Sequence, residues 1–583
     1  MAKEETNPNV AYFGETDFRG RRTRFGIKHD DRARHMYVIG KTGMGKSTLL
    51  ENLAIQDIQD GRGLAFIDPH GSTAEKLLDY VPPERVNDVI YFAPFDLDYP
   101  ISFNVMEDVG EDQRHLVVSG LMSAFKKLFG EESFSDRMQY ILQNTLLALL
   151  EYPDSTLLGV NRMLTDKAYR NKVVANVTDS SVKAYWTQEF ANYTERFAQE
   201  ATPAIQNKIG QFTSNPLIRN IIGQTKSSFD FRKIMDTKRI LIVNLSKGRL
   251  GETNSNLLGS MLITKLYLTA MSRANISGPE LRLLPPFYLF VDEFQSFANE
   301  SFANILSEAR KYKLSLTIAH QYIEQMAEEV RAAVFGNVGS IITFRVGPFD
   351  AEILEKIFFP TFTKEDLVNL GFAQTYLTLM IDGVGSPPFS AVTIAPIPLL
   401  QDSQKEKIIE HSRQTYAKPR GAVETEIVNW HAVSKGEAPA GAAAAPRAKF
   451  TPASSPATPF REREREPRAA REEGRREDGH GGEEAPRPKP VSLGVLNNRQ
   501  PEKKILSETE KQKTKEELRQ SLKNIMNKGQ PPRPSQSESP APKPPTPPLV
   551  SKPETSEPKK EAPVERPQNE VPRDVLEKLL KVD

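Results

Sequence analysis

The chain has 583 residues, with 77 lysines and arginines against 76 aspartates and glutamates, and it contains no cysteine. The missing cysteine excludes disulfides, thiolate zinc sites and cysteine nucleophiles, and the eight histidines include no His-Glu-x-x-His pair for a zinc hydrolase. The first residues are polar and charged, and the longest apolar stretch, Leu257 to Met271, is interrupted by Ser260, Thr264 and Lys265, so neither a signal peptide nor a membrane span is predicted and a cytoplasmic protein is expected.

The hydrophobic run Met36-Tyr37-Val38-Ile39 leads into Gly40-Lys41-Thr42-Gly43-Met44-Gly45-Lys46-Ser47, and a helix-prone stretch starts at Thr48. Strand, glycine loop and helix in this order make a cavity of inward-turned N–H groups, closed by the positive end of the helix, that suits a polyphosphate. Residues Gly40 to Thr48 are therefore the candidate nucleotide-binding segment of an ATPase. Lys46 is expected to reach the β- and γ-phosphates, and Ser47 to bind Mg²⁺. A chance match in a glycine turn is the competing explanation.

A second strand, Gly63 to Ile67, ends in Asp68-Pro69-His70-Gly71. Asp68 is a possible site residue, holding the metal's water or orienting a nucleophile; it serves equally well as a helix cap before Ser72-Thr73-Ala74-Glu75. From about Val105 to Met235 the pattern is helical, with Met138, Ile141, Leu142, Thr145, Leu146 and Leu149 recurring every three or four residues, and this predicts an all-helical insertion. Strand patterning resumes at Arg239 to Leu245. It returns at Phe287 to Val291, which runs into Asp292-Glu293-Phe294. An apolar strand ending in two acids complements a phosphate loop: Asp292 takes Mg²⁺ through water, and Glu293 polarises an attacking water.

Downstream, Ser307 to Gln321 reads as a helix end followed by a strand that terminates in a polar amide. Gln321 can contact the γ-phosphate there. Arg310, eleven residues earlier, is either a solvated helix-terminal arginine or a residue projecting towards an adjoining subunit's nucleotide. Arg345, at the end of Ile341 to Val346, is a second candidate. From about Glu437 an alanine run, an Arg-Glu block and proline-rich stretches replace the globular pattern, and a segment of this composition is predicted to be disordered. Two short amphipathic stretches interrupt it, one carrying Leu518, Leu522, Ile525 and Met526, the other Val575, Leu576, Leu579 and Leu580.

The loop GKTGMGKS, the strand end Asp68-Pro69-His70-Gly71, the run Val291-Asp292-Glu293-Phe294-Gln295 and the segment Glu308 to Gln321 resemble the HerA/FtsK superfamily of ring-forming pumps. Within it they are most similar to conjugative type IV secretion coupling proteins of the TraG/TraD kind and their soluble relatives, over about residues 10 to 400. The resemblance implies an α/β, RecA-like P-loop NTPase core with an all-α inserted domain and a disordered C-terminal tail. It implies a homo-hexamer with ATP and Mg²⁺ between subunits, DNA as partner, and an arginine supplied in trans. The family's spacing puts that arginine at Arg310, the catalytic glutamate at Glu293 and the sensor at Gln321. Domain boundaries are expected at residues 1–106 and 236–415 for the two parts of the ATPase domain, 107–235 for the insertion and 416–583 for the tail.

Membrane-bound members of that family carry amino-terminal transmembrane helices, whereas this chain reaches its phosphate loop by residue 40. The expectation is a protein free in the cytoplasm or recruited peripherally by a membrane partner, with secretion or relaxosome proteins bound through the tail. Neutral charge argues against a DNA binder. A ring weakens that objection, because six copies of a few cations around a pore contact several phosphates. Lys247 and Arg249, in a flexible basic turn, are the candidate DNA contacts, unless the turn is a plain exposed connection. The predicted function is an ATP-driven hexameric DNA translocase. The alternatives are a secretion or pilus-assembly ATPase acting on protein, and a non-motor ATP-dependent scaffold.

Overall fold

Every residue of Met36–Ile39 and Phe287–Val291 is buried, as strands covered on both faces of a parallel sheet require. The computed structural model describes residues 7–432 apart from 19–20, 108–109, 131, 133 and 400–401. The remainder of the proline- and charge-rich tail, with both expected amphipathic stretches, lies outside the described residues.

The strands are β1 (Val10–Phe18), β2 (Arg21–Lys28), β3 (Met36–Ile39), β4 (Gly63–Asp68), β5 (Val89–Phe92), β6 (Ile240–Asn244), β7 (Phe287–Val291), β8 (Leu314–His320), β9 (Ser340–Thr343) and β10 (Gln374–Thr378), then β11 (Met380–Ile381), β12 (Val384–Gly385) and β13 (Phe389–Thr393). All but β11 and β12, which form a small ribbon, belong to one 11-stranded sheet in the order β2-β1-β13-β10-β9-β3-β8-β7-β4-β6-β5. The part from β9 to β5 is parallel, and β10, β13, β1 and β2 extend it antiparallel. This is an α/β fold with a RecA-like core.

Alternation along each strand divides its side chains between two cores. Tyr37, Ile39, Ala65, Ile67, Leu289 and Val291 join one, and Met36, Val38, Leu64, Phe66, Tyr288 and Phe290 join the other. The second core receives the helix Lys46–Gln59, through Leu49, Leu50, Leu53, Ala54 and Ile58. The first receives the helix Glu252–Met271 and the helices lying between β5 and β6. Among those, Asp136–Glu151 buries Met138, Ile141, Leu142, Thr145, Leu146 and Leu149, the face anticipated from the spacing. A buried bidentate pair, Arg32 to Asp57 at 2.8 Å, places its guanidinium 4.0 Å from the centre of the Tyr288 ring and so ties the helix after the glycine loop to β7.

The boundary expected at residue 415 requires correction. Lys405–Tyr416 is a helix whose Ser412 accepts a hydrogen bond from the Tyr91 N–H, and a further helix, Arg420–Ala432, follows it. Val423 and Ile427 of the latter are buried against Leu158, while Arg162 donates to the carbonyls of Trp430 (2.9 Å) and His431 (3.1 Å). Proline and charge content begin to dominate only after this helix, from about Glu437, so the boundary at 415 lies earlier than the change in composition. Burying one valine and one isoleucine contributes about 3–6 kcal/mol in all. Truncation after Lys418 is therefore expected to lower the thermal midpoint, and truncation after residue 433 to leave the folded core unchanged. Equal midpoints for the two truncated chains would show that the last helix adds nothing to the core.

Candidate active site

The phosphate loop leaves β3 at the carboxyl edge of the sheet, flanked by β8 and β9, where open α/β sheets bind ligands. Its conformation requires glycine, as Gly45 and Gly40 show. Gly45 has φ 115°, open to glycine at little cost, and a Cβ on Gly40 would fall 2.6 Å from Cβ of Phe344. Backbone bonds from Gly40 N–H to the His320 carbonyl and from Lys41 N–H to the Arg345 carbonyl anchor the loop to both neighbouring strands. Thr42 and Gly43 are exposed at its tip, and Ser47 and Thr48 are half-buried in the first turn of the helix.

The Lys46 ammonium is folded back onto the loop, donating to the carbonyls of Gly40 (2.6 Å) and Lys41 (3.1 Å). Ser47 Oγ donates to Asp292 Oδ2 at 3.1 Å, which joins the loop to the acid pair at the end of β7. Burial raises the Asp292 carboxyl to about 6, with help from the negative charges of Glu293 and Asp68. Glu293 goes the other way. Burial opposes its ionisation, yet the His70 imidazole, the amides of Gln321 and Gln295 and the Lys46 charge together hold it down at about 2. Gln321 and Gln295 each donate Nε2 to one of its oxygens, and His70 Nε2 stands 3.9 Å from Oε1, an ion-pair contact rather than a hydrogen bond. Glu293 also has a left-handed backbone, φ 46° and ψ 49°, a conformation that costs a non-glycine residue about 1–3 kcal/mol and marks sites where geometry overrides local preference.

The structure thus brings Lys46, Ser47, Asp292, Glu293 and Gln321 to one place. It treats the other candidates differently. Asp68 is fully buried and both its oxygens are occupied, accepting from the N–H groups of His70 (2.8 Å) and Ala74 (2.9 Å). It caps the helix Ser72–Leu77, and its charge acts on the site at a distance, as repulsion on Asp292 and attraction on His70. Arg345 lies at the carboxyl edge beside the phosphate loop of its own chain. Arg310 is exposed in the turn Ala309–Tyr312 ahead of β8, at the opposite edge, separated from Gln321 by the whole strand, about 20 Å.

The flexible turn expected to carry Lys247 and Arg249 requires a second correction. They stand on one helical turn, Lys247–Leu250, and not on a flexible connection. Lys247 donates to Ser296 Oγ (3.0 Å) and pairs with Glu252, while Arg249 pairs with Glu75 and lies 4.4 Å from the centre of the Phe95 ring. Both cations are engaged within the chain, Lys247 partly by the nearby Glu252, and β6 delivers them beside Ser296, Glu75 and Phe95, which are distant in sequence.

Sequence reasoning assigned no role to His70 or Gln295, although both sit inside quoted motifs. An imidazole and an amide beside two acidic strand ends were the available signal; only the pairing of β4 with β7 shows that they converge on one carboxylate.

A family model described as the type IV secretion-system coupling protein DNA-binding domain matches residues 24–355, more than half of the chain. The chain belongs to that family. Solved structures similar to this coupling protein include the bacterial conjugative coupling protein TrwBdeltaN70, at 15% identity and TM-score 0.48, covering 65% of this chain and 88% of that one. The plasmid coupling protein TrwB in complex with ADP and Mg²⁺ is similar at 16% identity and TM-score 0.48, with 65% and 89% covered. VirB4 of Thermoanaerobacter pseudethanolicus follows at 14% identity and TM-score 0.46, with 67% and 97% covered. No curated protein matches the chain. Among the described residues no helix is long and apolar enough to cross a membrane.

Proposed function

We propose that this coupling protein is an ATP-driven DNA translocase that works as a homo-hexamer, with ATP bound at the phosphate loop and hydrolysed between subunits. The observation that carries the reading is the joining of Ser47 to Asp292, with Glu293 held by Gln321 alongside. A hydroxyl and a carboxylate 3.1 Å apart are hard oxygen donors that fit Mg²⁺. When bound with the nucleotide, that ion would neutralise charge on the β- and γ-phosphate oxygens. Lys46 exchanges two loop carbonyls for the phosphates, and its small displacement is favoured by the stronger charge. Glu293 orients and polarises the attacking water. Gln321 couples the γ-phosphate to Glu293, Arg310 serves a neighbour's site in trans, and Arg345 is the alternative finger. The division at about residues 106 and 235 gives an ATPase domain interrupted by helices that carry the DNA-reading role, with the tail recruiting partner proteins. Membership in a coupling-protein DNA-binding family supports DNA as the cargo.

The deciding experiment measures Mg²⁺-dependent ATPase rate alone and with single- or double-stranded DNA, together with oligomeric state by sedimentation. DNA is expected to raise the rate severalfold in the hexamer. An active ATPase indifferent to both forms of DNA would overturn the DNA reading in favour of a motor acting on protein, and a purely monomeric active enzyme would remove the ring.

A further inference from the structure

The turn Phe294–Ser296 follows Glu293 directly, and the Gln295 amide within it donates to the Glu293 carboxylate. On its other side Gln295 Oε1 is buried without a hydrogen-bond partner among the described residues. The amide therefore has one side-chain tether, and its placement depends on the backbone that carries it. Two lysines from distant parts of the chain hold that turn, one through a side chain and one through the backbone. Lys247 donates to Ser296 Oγ at 3.0 Å. Lys127, in the helix Arg114–Phe129 of the region between β5 and β6, donates its ammonium to the carbonyls of Gln295 (2.5 Å) and Ala298. Carbonyls at the end of a helical turn lack partners within it and carry partial negative charge, so a lysine there binds two acceptors at once and resists their rotation.

We propose that Lys127 is a positioning residue for Glu293: by fixing the backbone of Gln295 it makes the placement of the carboxylate depend on the placement of the helices between β5 and β6. This rests on the reading of Glu293 as the group that polarises water. Lys127 has its stem at the surface and its ammonium turned inward, so movement of its helix on binding a partner pulls directly on the turn behind the acid pair. Lys127 donates to this turn and not to the phosphate loop, so its loss is expected to act on cleavage more than on nucleotide affinity.

The test compares the full chain with Lys127→Met, which keeps the stem and removes the donors, Lys127→Arg, which keeps donors, and Gln295→Ala, alone and combined with Lys127→Met. Lys127→Met is expected to lower kcat for ATP at least fivefold while KM changes less than twofold, with Lys127→Arg recovering at least half of the wild-type rate. In the Gln295→Ala background the methionine substitution should add less than a twofold loss, since the tether it controls is already gone. A Lys127→Met enzyme with kcat within twofold of wild type, or a loss that persists in full without Gln295, overturns the inference. Should the methionine variant fail to fold, Gln295→Ala decides: kcat within twofold of wild type in that variant removes the path from Lys127 to Glu293. A wild-type chain without ATPase activity would defeat the reading of Glu293 itself, whereas an active wild type with an equally active Lys127→Met defeats only the positioning role.

Discussion

Arg310→Ala is expected to bind ATP with nearly unchanged affinity and to lose hydrolysis by about 10³-fold or more, the scale on which trans arginines act. The expectation follows from a contrast within the chain. Arg310 is exposed and lies at the amino edge of the sheet, the full length of β8 away from the phosphate loop, so it has no route to the nucleotide of its own subunit. In the proposed ring its catalytic effect passes through a neighbour. Subunits carrying Arg310→Ala mixed with subunits carrying Lys46→Ala provide the check. Each is inactive alone, the first for want of the arginine and the second for want of the charge facing the β- and γ-phosphates. Mixed rings contain interfaces at which an intact Lys46 site meets an intact Arg310, and partial recovery of ATPase activity is the expected result. Near-normal activity of Arg310→Ala under conditions where the wild type forms rings would eliminate this arginine and direct the same test to Arg345.

Glu293→Gln should leave ATP binding close to normal and slow cleavage by about 10²–10⁴-fold, the usual consequence of losing a positioned proton acceptor. In the present arrangement the carboxylate is ionised well below neutrality, held at about 2 against burial by His70, Gln321, Gln295 and the Lys46 charge. An acid so stabilised is a weak base. In the proposed mechanism, nucleotide binding is expected to change this by drawing Lys46 towards the phosphates and competing for Gln321, each lost donor raising the basicity of Glu293. Glutamine preserves shape but cannot accept the proton. Trapped ATP in Glu293→Gln, measured by equilibrium binding beside single-turnover cleavage, is the expected signature; a cleavage rate above about a tenth of the wild type would exclude Glu293 as the base.

Much of the fold was legible in the chain because its signals are local. Fully apolar runs bounded by glycine or acid mark buried parallel strands, and the spacing from Met138 to Leu149 marks one face of a helix, since both depend on backbone periodicity alone. The glycine loop was equally readable, because phosphate cradles require particular residues within one short segment. The docking of the last helix was not legible: Arg420–Ala432 is held by Leu158 and Arg162, more than 250 residues earlier, and no local pattern records such a partner.

Covalent neighbours specify the strand–loop–helix unit, the acids at the end of β7 and the amide at the end of β8, and each is therefore readable in the chain. What these groups meet depends on how the strands pair. The pairing of β3 with β8, β8 with β7 and β7 with β4 brings Ser47, Gln321, Glu293 and His70 to one edge, and it turns Asp68 into a helix cap when backbone donors take both its oxygens. It also engages Lys247 and Arg249 within the chain and sets Lys127 on the turn behind the acid pair. Charge and hydrogen-bonding capacity can be read from residue type, but whether a group is satisfied depends on distance, and distance across a sheet is set by strand order rather than by position in the chain.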